Sequence, residues 1–398
     1  MKKWFIFIYI AFLIESVMLS QGIIMRIYIN VTVGTGAEDF YSDVWKRLME
    51  EKPDYVEITT TPSSDDAFSY DLVLLNLPDE YEAVWKEGTN TIADLKFKKD
   101  SLLPFKYYIQ DIVSVPLEKA AFKKASIGDF GNYLRLTYHS GVDEYPSFSR
   151  DGRYLLFISD RYKGNRDIFV FDFFKGSLRH IKIGSSEYFP RLSPDGKLIL
   201  FQSSLYGNWG IYTIPFDGNT RAIRKIDGGN LAAYMPRWID DENVVYVMDR
   251  KDRKGNSIYL KNIKAKERKK INLPFDYVFA PFPTPDGSFL VTALKEADFG
   301  IYKISPDGSV LTVENTRYNE HDPVLSPDGS ALLFTANRDG VYRVWAKDLE
   351  KGDEWVVTGF TDDDAFYPTF HPSGKLVAVA IYKTGWEPDI WLVRFNDE

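Results

Sequence analysis

One phrase recurs six times between residues 146 and 374: a proline, five residues of strand and turn, then glycine in five of the copies. The copies read Pro146-Ser-Phe-Ser-Arg-Asp-Gly152, Pro190-Arg-Leu-Ser-Pro-Asp-Gly196, Pro236-Arg-Trp-Ile-Asp-Asp-Glu242, Pro281-Phe-Pro-Thr-Pro-Asp-Gly287, Pro323-Val-Leu-Ser-Pro-Asp-Gly329 and Pro368-Thr-Phe-His-Pro-Ser-Gly374. Successive prolines lie 44, 46, 45, 42 and 45 residues apart. That is the period of a four-stranded propeller blade. A fixed period this long leaves few folds open, but it names no activity, because propellers serve both as binding platforms and as enzymes.

The chemistry of the phrase agrees with its period. In Ser193-Pro194-Asp195-Gly196 the proline presets φ at the second turn position, and the glycine supplies a left-handed fourth residue. A short strand precedes the turn and carries Phe148, Leu192, Trp238 or Phe370. Apolar runs such as Tyr154–Ile158 and Leu198–Phe201 follow, as expected of strands buried on both faces. A third strand is centred on a recurring pair, from Ile168-Phe169 and Ile211-Tyr212 through to Ile390-Trp391. A more polar fourth strand follows, as in Arg179–Lys182 or Trp355–Thr358. The runs lack the 3.6-residue periodicity of a helical solenoid. A mainly β fold is therefore predicted: a six-bladed β-propeller over residues 133–398. The last repeat stops after its third strand, so Tyr133–Tyr138 is expected to pair with Asp389–Phe395 and supply the missing fourth strand. Closure of this kind removes open sheet edges.

Residues 23–132 have a different pattern and are expected to form a small α/β domain. Met25–Val33 alternates as a strand, and Glu38–Glu51 places Phe40, Val44 and Leu48 on one side of a helix. Thr35 and Glu38 have the spacing of a capping box. Tyr55–Thr60 and Asp71–Asn76 read as further strands, and Leu117–Ala125 as a short helix. The Gly34-Thr-Gly36 turn lacks the lysine of a phosphate loop, and Glu38 and Asp39 would repel an anion at that helix start. Ahead of this domain, Lys2 and Lys3 precede eleven apolar residues, Trp4 to Ile14. Ser20-Gln21-Gly22 then places small residues around a cut after Gly22, so residues 1–22 read as an export signal. A retained anchor and a buried first strand are the alternatives. With the signal cleaved, no integral membrane span is expected and the location is periplasmic or otherwise extracytoplasmic.

Charge and composition narrow the functional classes. Residues 23–133 hold 12 Lys and Arg against 19 Asp and Glu, and residues 134–398 hold 35 against 37. Neither half offers the basic footprint that nucleic acid requires. Lys264–Lys270 is expected as a solvated outer hairpin of the third blade. The chain has no cysteine, which excludes disulfides, thiol catalysis and thiolate metal sites. It contains no Gly-x-Ser-x-Gly elbow, and His139, His180, His321 and His371 have no metal-ligand spacing. Asp362-Asp363-Asp364 lacks the calcium-loop pattern. No catalytic residue, metal or cofactor is therefore assigned.

The tripeptide before each repeat proline stands out. Propeller geometry places it where the chain crosses to the next innermost strand, at one mouth of the central channel. Glu144, Tyr145, Glu187, Tyr188, Phe189, Tyr234, Phe279, His321, Asp322, Phe366 and Tyr367 are the candidate binding residues. Aromatic anchors in a polar surround suit a protein or peptide partner. The competing reading is that these rings pack between blades and plug the mouth.

The Ser-Pro-Asp-Gly repeats with their upstream proline resemble the WD40-like repeats of the TolB family, over residues 134–398. The order of export signal, small α/β domain and six-bladed propeller is also similar. The resemblance implies a periplasmic scaffold of the Tol–Pal envelope system; with no catalytic signature in the sequence, a non-enzymatic monomer is expected. Its propeller would bind a Pal-like lipoprotein and its N-terminal region a TolA-like partner. In that family the C-terminus typically gives only an innermost strand to the closing blade, whereas three strands are expected here. The alternative, from another class, is a carbohydrate-active propeller enzyme, a glycosidase or lyase acting in the central channel through paired carboxylates.

Overall fold

A computed structural model describes residues 24–395 apart from 102, 103, 163, 253 and 361. The export signal expected over residues 1–22 lies outside the described residues. The chain divides into two compact units, Met1–Ser140 and Gly141–Glu398.

In the first unit, five strands form one mixed sheet in the order β2-β1-β3-β4-β5. Strand β1 (Met25–Val33) runs parallel to β2 (Val56–Thr59) and β3 (Asp66–Asn76), while β4 (Glu80–Glu87) and β5 (Asn90–Lys98) extend it as an antiparallel hairpin. Helix α1 (Glu38–Glu51) buries Phe40, Val44 and Leu48, the side that its periodicity marks. The capping box does not form. The turn at Gly36 (φ 76°) places Ala37 at the N-cap with no side-chain bond, so Glu38 opens the helix instead of standing three residues inside it.

Helix α2 spans Phe105–Ile127, far longer than the expected Leu117–Ala125, and carries Pro116 within it. Side chains anchor it to the sheet. The Tyr108 hydroxyl donates to the carbonyls of Leu95 (2.8 Å) and Tyr81 (3.0 Å), and the Trp85 indole donates to Ile112 O at 3.0 Å. Such packing outweighs the roughly 3 kcal/mol that an interior proline costs a helix. Gly128 (φ 67°) then ends the helix in the left-handed conformation. A short strand β6, Tyr133–Arg135, follows.

The second unit is the propeller. Its blades are antiparallel sheets whose strands follow chain order from the axis outward. Blade 1 runs through Asp143–Phe148, Tyr154–Ser159, Asp167–Asp172 and Ser177–Ile181. Blades 2 to 5 repeat this plan, and blade 6 draws three strands from this unit: Asp364–Phe370, Leu376–Tyr382 and Asp389–Arg394. The second strands are apolar because both of their faces meet neighbouring blades. Leu156, Ile168 and Val170 of blade 1, for example, pack on Ile199, Phe201 and Tyr212 of blade 2. Each such side chain contributes about 1.5–3 kcal/mol on full burial. Blade 6 meets blade 1 in the same manner, with Asp143 N–H donating to Pro388 O at 2.8 Å.

The Ser-Pro-Asp-Gly turns join the first two strands of a blade. The hydroxyls of Ser149, Ser193 and Ser326 donate to the aspartate two residues on (2.6, 2.7 and 2.6 Å) and accept from the N–H that restarts the sheet, 2.9 Å in each case. Gly152, Gly196, Gly287, Gly329 and Gly374 all have φ between 72° and 79°, a region other residues enter at a cost. The basic run Lys264–Lys270 lies at the outer hairpin of blade 3, where Arg268 pairs with Asp227 at 2.5 Å and Lys264 with Glu242.

Candidate binding site at the channel mouth

Every innermost strand pairs with its neighbour in two short runs, interrupted at the tripeptide and proline. In blade 1, Glu144 pairs with Ile158 and Ser147 with Leu156, so Tyr145 and Pro146 together face one partner residue. The same bulge recurs in all six blades. A proline suits a bulge because it has no N–H to lose from the ladder. The residue before it is left-handed each time: Tyr145, Phe189, Met235, Ala280, Asp322 and Tyr367 have φ between 47° and 56°.

These six residues turn towards the axis. Tyr145 lies 4.2 Å from Phe189 and 4.3 Å from Tyr367 between ring centroids. Phe189, Met235, Ala280, Asp322 and Tyr367 line a small enclosed space beneath. Together they close the channel just below its mouth. Backbone N–H groups in this ring are held by the preceding blade: Met235 donates to Gln202 Oε1 at 3.1 Å and Asp322 to Thr292 Oγ1 at 3.2 Å.

A belt of rings surrounds this plug. Phe279 meets Phe299 (5.9 Å), Phe299 meets His321 (5.0 Å), His321 meets Tyr342 (6.2 Å), Tyr342 meets Phe366 (4.9 Å) and Phe366 meets Tyr382 (5.3 Å). On the opposite side Tyr145 contacts Tyr188, which stands edge-on to Trp209 at 5.2 Å. The Tyr234 hydroxyl donates to Asp249 and accepts from the Asn256 amide, each at 2.9 Å. Burial pushes the His321 imidazole down to about 4, so it is neutral in ordinary buffers and acts as another ring.

Tyr145, Tyr188, Phe189, Tyr234, Phe279, His321, Phe366 and Tyr367 are all partly exposed here. The two glutamates differ. Glu144 is buried, accepts from the Tyr382 hydroxyl and pairs with Arg166 at 3.3 Å. Glu187 does not face the mouth at all. It is 0% exposed and bonded to Ser185 and Ser203, because strand alternation turns the first residue of the tripeptide into the space between blades. The sequence reading missed Trp209 and Tyr342, which stand just before the third strands of blades 2 and 5, and Phe299, which lies at the start of the third strand of blade 4. They fall 18 or 19 residues past their prolines, so the repeat itself carried the signal.

Below the plug the channel changes character. Arg191 and Arg237, the residues after the bulge prolines of blades 2 and 3, project into it beneath Asp322. Beyond them it widens into a funnel of about 520 Å³ lined by the Ser-Pro-Asp-Gly turns. Burial pushes the Asp322 carboxyl up to about 6, against the opposing charges of Arg237 and Arg191. Among the described residues, no group of three or more metal-ligating side chains is clustered.

Comparison with known proteins finds relatives for this architecture. A Tol-Pal system protein TolB from Francisella tularensis subsp. tularensis is 26% identical over 346 residues, 84% of this chain and 71% of that protein. That alignment is longer than the propeller unit, so it takes in part of the first unit as well. The chain is a TolB-like protein. A second TolB, from Francisella tularensis subsp. mediasiatica, is 27% identical over 347 residues, again 84% of this chain and 71% of the relative. A solved structure provisionally named as TolB, from Agrobacterium tumefaciens, superposes with a TM-score of 0.50 at 21% identity and covers 65% of this chain and 91% of its own. At that identity the likeness speaks for the TolB-like fold alone. No family profile matches the chain.

Proposed function

We propose that this TolB-like chain is an exported, non-enzymatic scaffold that binds an envelope protein or peptide at the aromatic mouth of its propeller. The observation that carries this reading is the belt of partly exposed rings laid over a sealed channel. Such a surface can receive an aromatic or aliphatic anchor and desolvate it, but cannot pass a substrate through. Rings held by their neighbours lose little freedom on binding, which favours affinity. Glu144 is matched by Arg166 and Tyr382, so recognition at the floor rests on burial of rings.

The names of the aligned relatives point to the Tol–Pal system, which would make the partner a Pal-like lipoprotein and the location periplasmic. No helix among the described residues is long and apolar enough to cross a membrane. In the same reading residues 23–132 form the N-terminal domain. Tyr133–Tyr138 fastens blade 6 as its fourth strand, a role for which Tyr133–Arg135 already has strand conformation.

The test is a calorimetric titration with the soluble domain of the peptidoglycan-associated lipoprotein from the same organism. Tyr188→Ala and Phe366→Ala should each weaken binding roughly 30-fold, the value of about 2 kcal/mol for a buried anchor. Lys303→Ala, on the third strand of blade 4 where the lysine pairs with Asp286, should leave it unchanged. Tight binding that both ring variants preserve would remove the site from the mouth.

A further inference from the structure

The lower half of the channel holds a charge arrangement that the scaffold does not need. Arg191 and Arg237 come from adjacent blades and lie across the channel between the small space under the plug and the open funnel. Neither forms an ion pair within 4.0 Å among the described residues. Arg191 Nη1 donates to Pro146 O at 3.1 Å, but its buried Nε has no partner. The Arg237 guanidinium lies 4.8 Å from the centre of the Phe282 ring and makes no hydrogen bond among the described residues. Asp322 acts on both electrostatically but contacts neither as an ion pair, and guanidinium groups taken out of bulk water without a carboxylate in direct contact are costly to hold. Both side chains line the small space under the plug and the funnel beyond it.

We propose that this funnel is a binding site for a monocarboxylate carried on an apolar body, with the carboxylate seated between Arg191 and Arg237. At the constriction two guanidinium groups and Asp322 leave one net positive charge, which a monoanion balances; Arg150, exposed in the funnel lining, adds a further cation away from that point. Planar nitrogen donors suit a carboxylate, which accepts two parallel bonds. The funnel wall matches the remainder of such a ligand: Phe148, Phe370 and Trp238 sit among the prolines of the turns, including Pro194, Pro327 and Pro372. About 520 Å³ accommodates a small organic acid or the last residues of a peptide chain. The plug separates this site from the aromatic mouth, so the two are expected to be occupied independently.

The experiment is calorimetry on the full chain with four probes: 3-phenylpropionate, N-acetyl-Ala-Ala-Phe with a free carboxylate, its C-terminal amide, and inorganic phosphate. Binding of 3-phenylpropionate alone identifies a free acid as the ligand source, and binding of the peptide acid identifies a chain terminus. In either case the amide should bind at least 10-fold more weakly, and Arg237→Gln should weaken the acid by ~10–100-fold, as loss of a charge-assisted pair predicts. Failure of both acids to bind would overturn the proposal. So would equal binding of acid and amide, tighter binding of phosphate, or an unaffected Arg237→Gln. A second readout tests whether Arg237 is merely structural. Arg237→Met removes a desolvated charge and should leave the ligand-free melting temperature unchanged or raised. A fall of several degrees, or failure to fold, would make the arginine structural and overturn the site.

Discussion

Removing the charge at Glu187 should change how the propeller responds to pH. This carboxyl is 0% exposed; Oε1 accepts from Ser185 Oγ at 2.5 Å and Ser203 Oγ at 3.2 Å, while Oε2 has no partner. Asp143 and Glu320, at the same place in blades 1 and 5, have Arg161 at 3.0 Å and Arg338 at 3.9 Å; among the described residues Glu187 has no such cation. Burial, helped by the charge of Asp167 and opposed by the serine bonds, pushes it up to about 8 from an ordinary 4.5. The sign follows from linkage. Between those two values the folded chain keeps a proton that the unfolded chain has lost. The stabilisation is fully present below about pH 4.5 and is lost as pH rises towards 8. One such group gives a slope of about 1.4 kcal/mol per pH unit, hence about 3 kcal/mol between pH 5 and 7. Glu187→Gln keeps the shape and cannot titrate. Thermal midpoints of wild type and variant, taken at pH 5, 6 and 7, should diverge by roughly 5–10 °C across that span, with the wild type falling. Parallel curves would refute the reasoning, since they would mean that water reaches Glu187 and it ionises as an ordinary glutamate.

Two further substitutions probe the ring. Ala280 is held at φ 47°, so Ala280→Gly should leave the melting temperature equal or raise it, whereas the β-branched Ala280→Val should lower it by the equivalent of about 2 kcal/mol or more. Arg161 is 7% exposed and pairs with the fully buried Asp143 at 3.0 Å. Arg161→Met should cost about 3–5 kcal/mol by taking the guanidinium away from that buried carboxylate, read as the shift of the urea unfolding midpoint, with Arg161→Lys intermediate.

The blades were legible because their turns depend on residues with local conformational effects. Proline and glycine mark each repeat, and the apolar second strands announce burial on both faces. The mouth was legible as a place but not as a geometry. Nothing local to Tyr145 or Phe189 signals a left-handed backbone, and although aspartate enters that region more readily than most residues, at Asp322 as at the rings it is the bulge of the closed ring that imposes it. Glu187 was misplaced for a related reason. Its neighbours Tyr188 and Phe189 face the mouth, and alternation across the strand was not applied to the tripeptide. In the first unit the β4–β5 hairpin went unread because Glu80, Glu82, Lys86, Lys96 and Lys98 mask its alternation, and Pro116 concealed the length of α2. Arg191 and Arg237 gave no warning either: the position after the proline holds Ser, Arg, Arg, Phe, Val and Thr in turn, with no common chemistry.

Left-handed residues at six equivalent points cost on the order of 1–3 kcal/mol each, a sum comparable with the whole stability of a domain. They persist because neighbours over-determine them. Each sits at a bulge beside a proline, and the N–H groups of Met235 and Asp322 are taken up by Gln202 and Thr292 of the blade before. The plug is therefore a property of the closed ring and not of any one blade. A blade that loosens from its neighbour releases the strain at its own inner strand and takes a wall of the mouth with it. Closure and recognition are thus coupled through the same residues: the contacts that fasten blade to blade also hold the rings that a partner would meet.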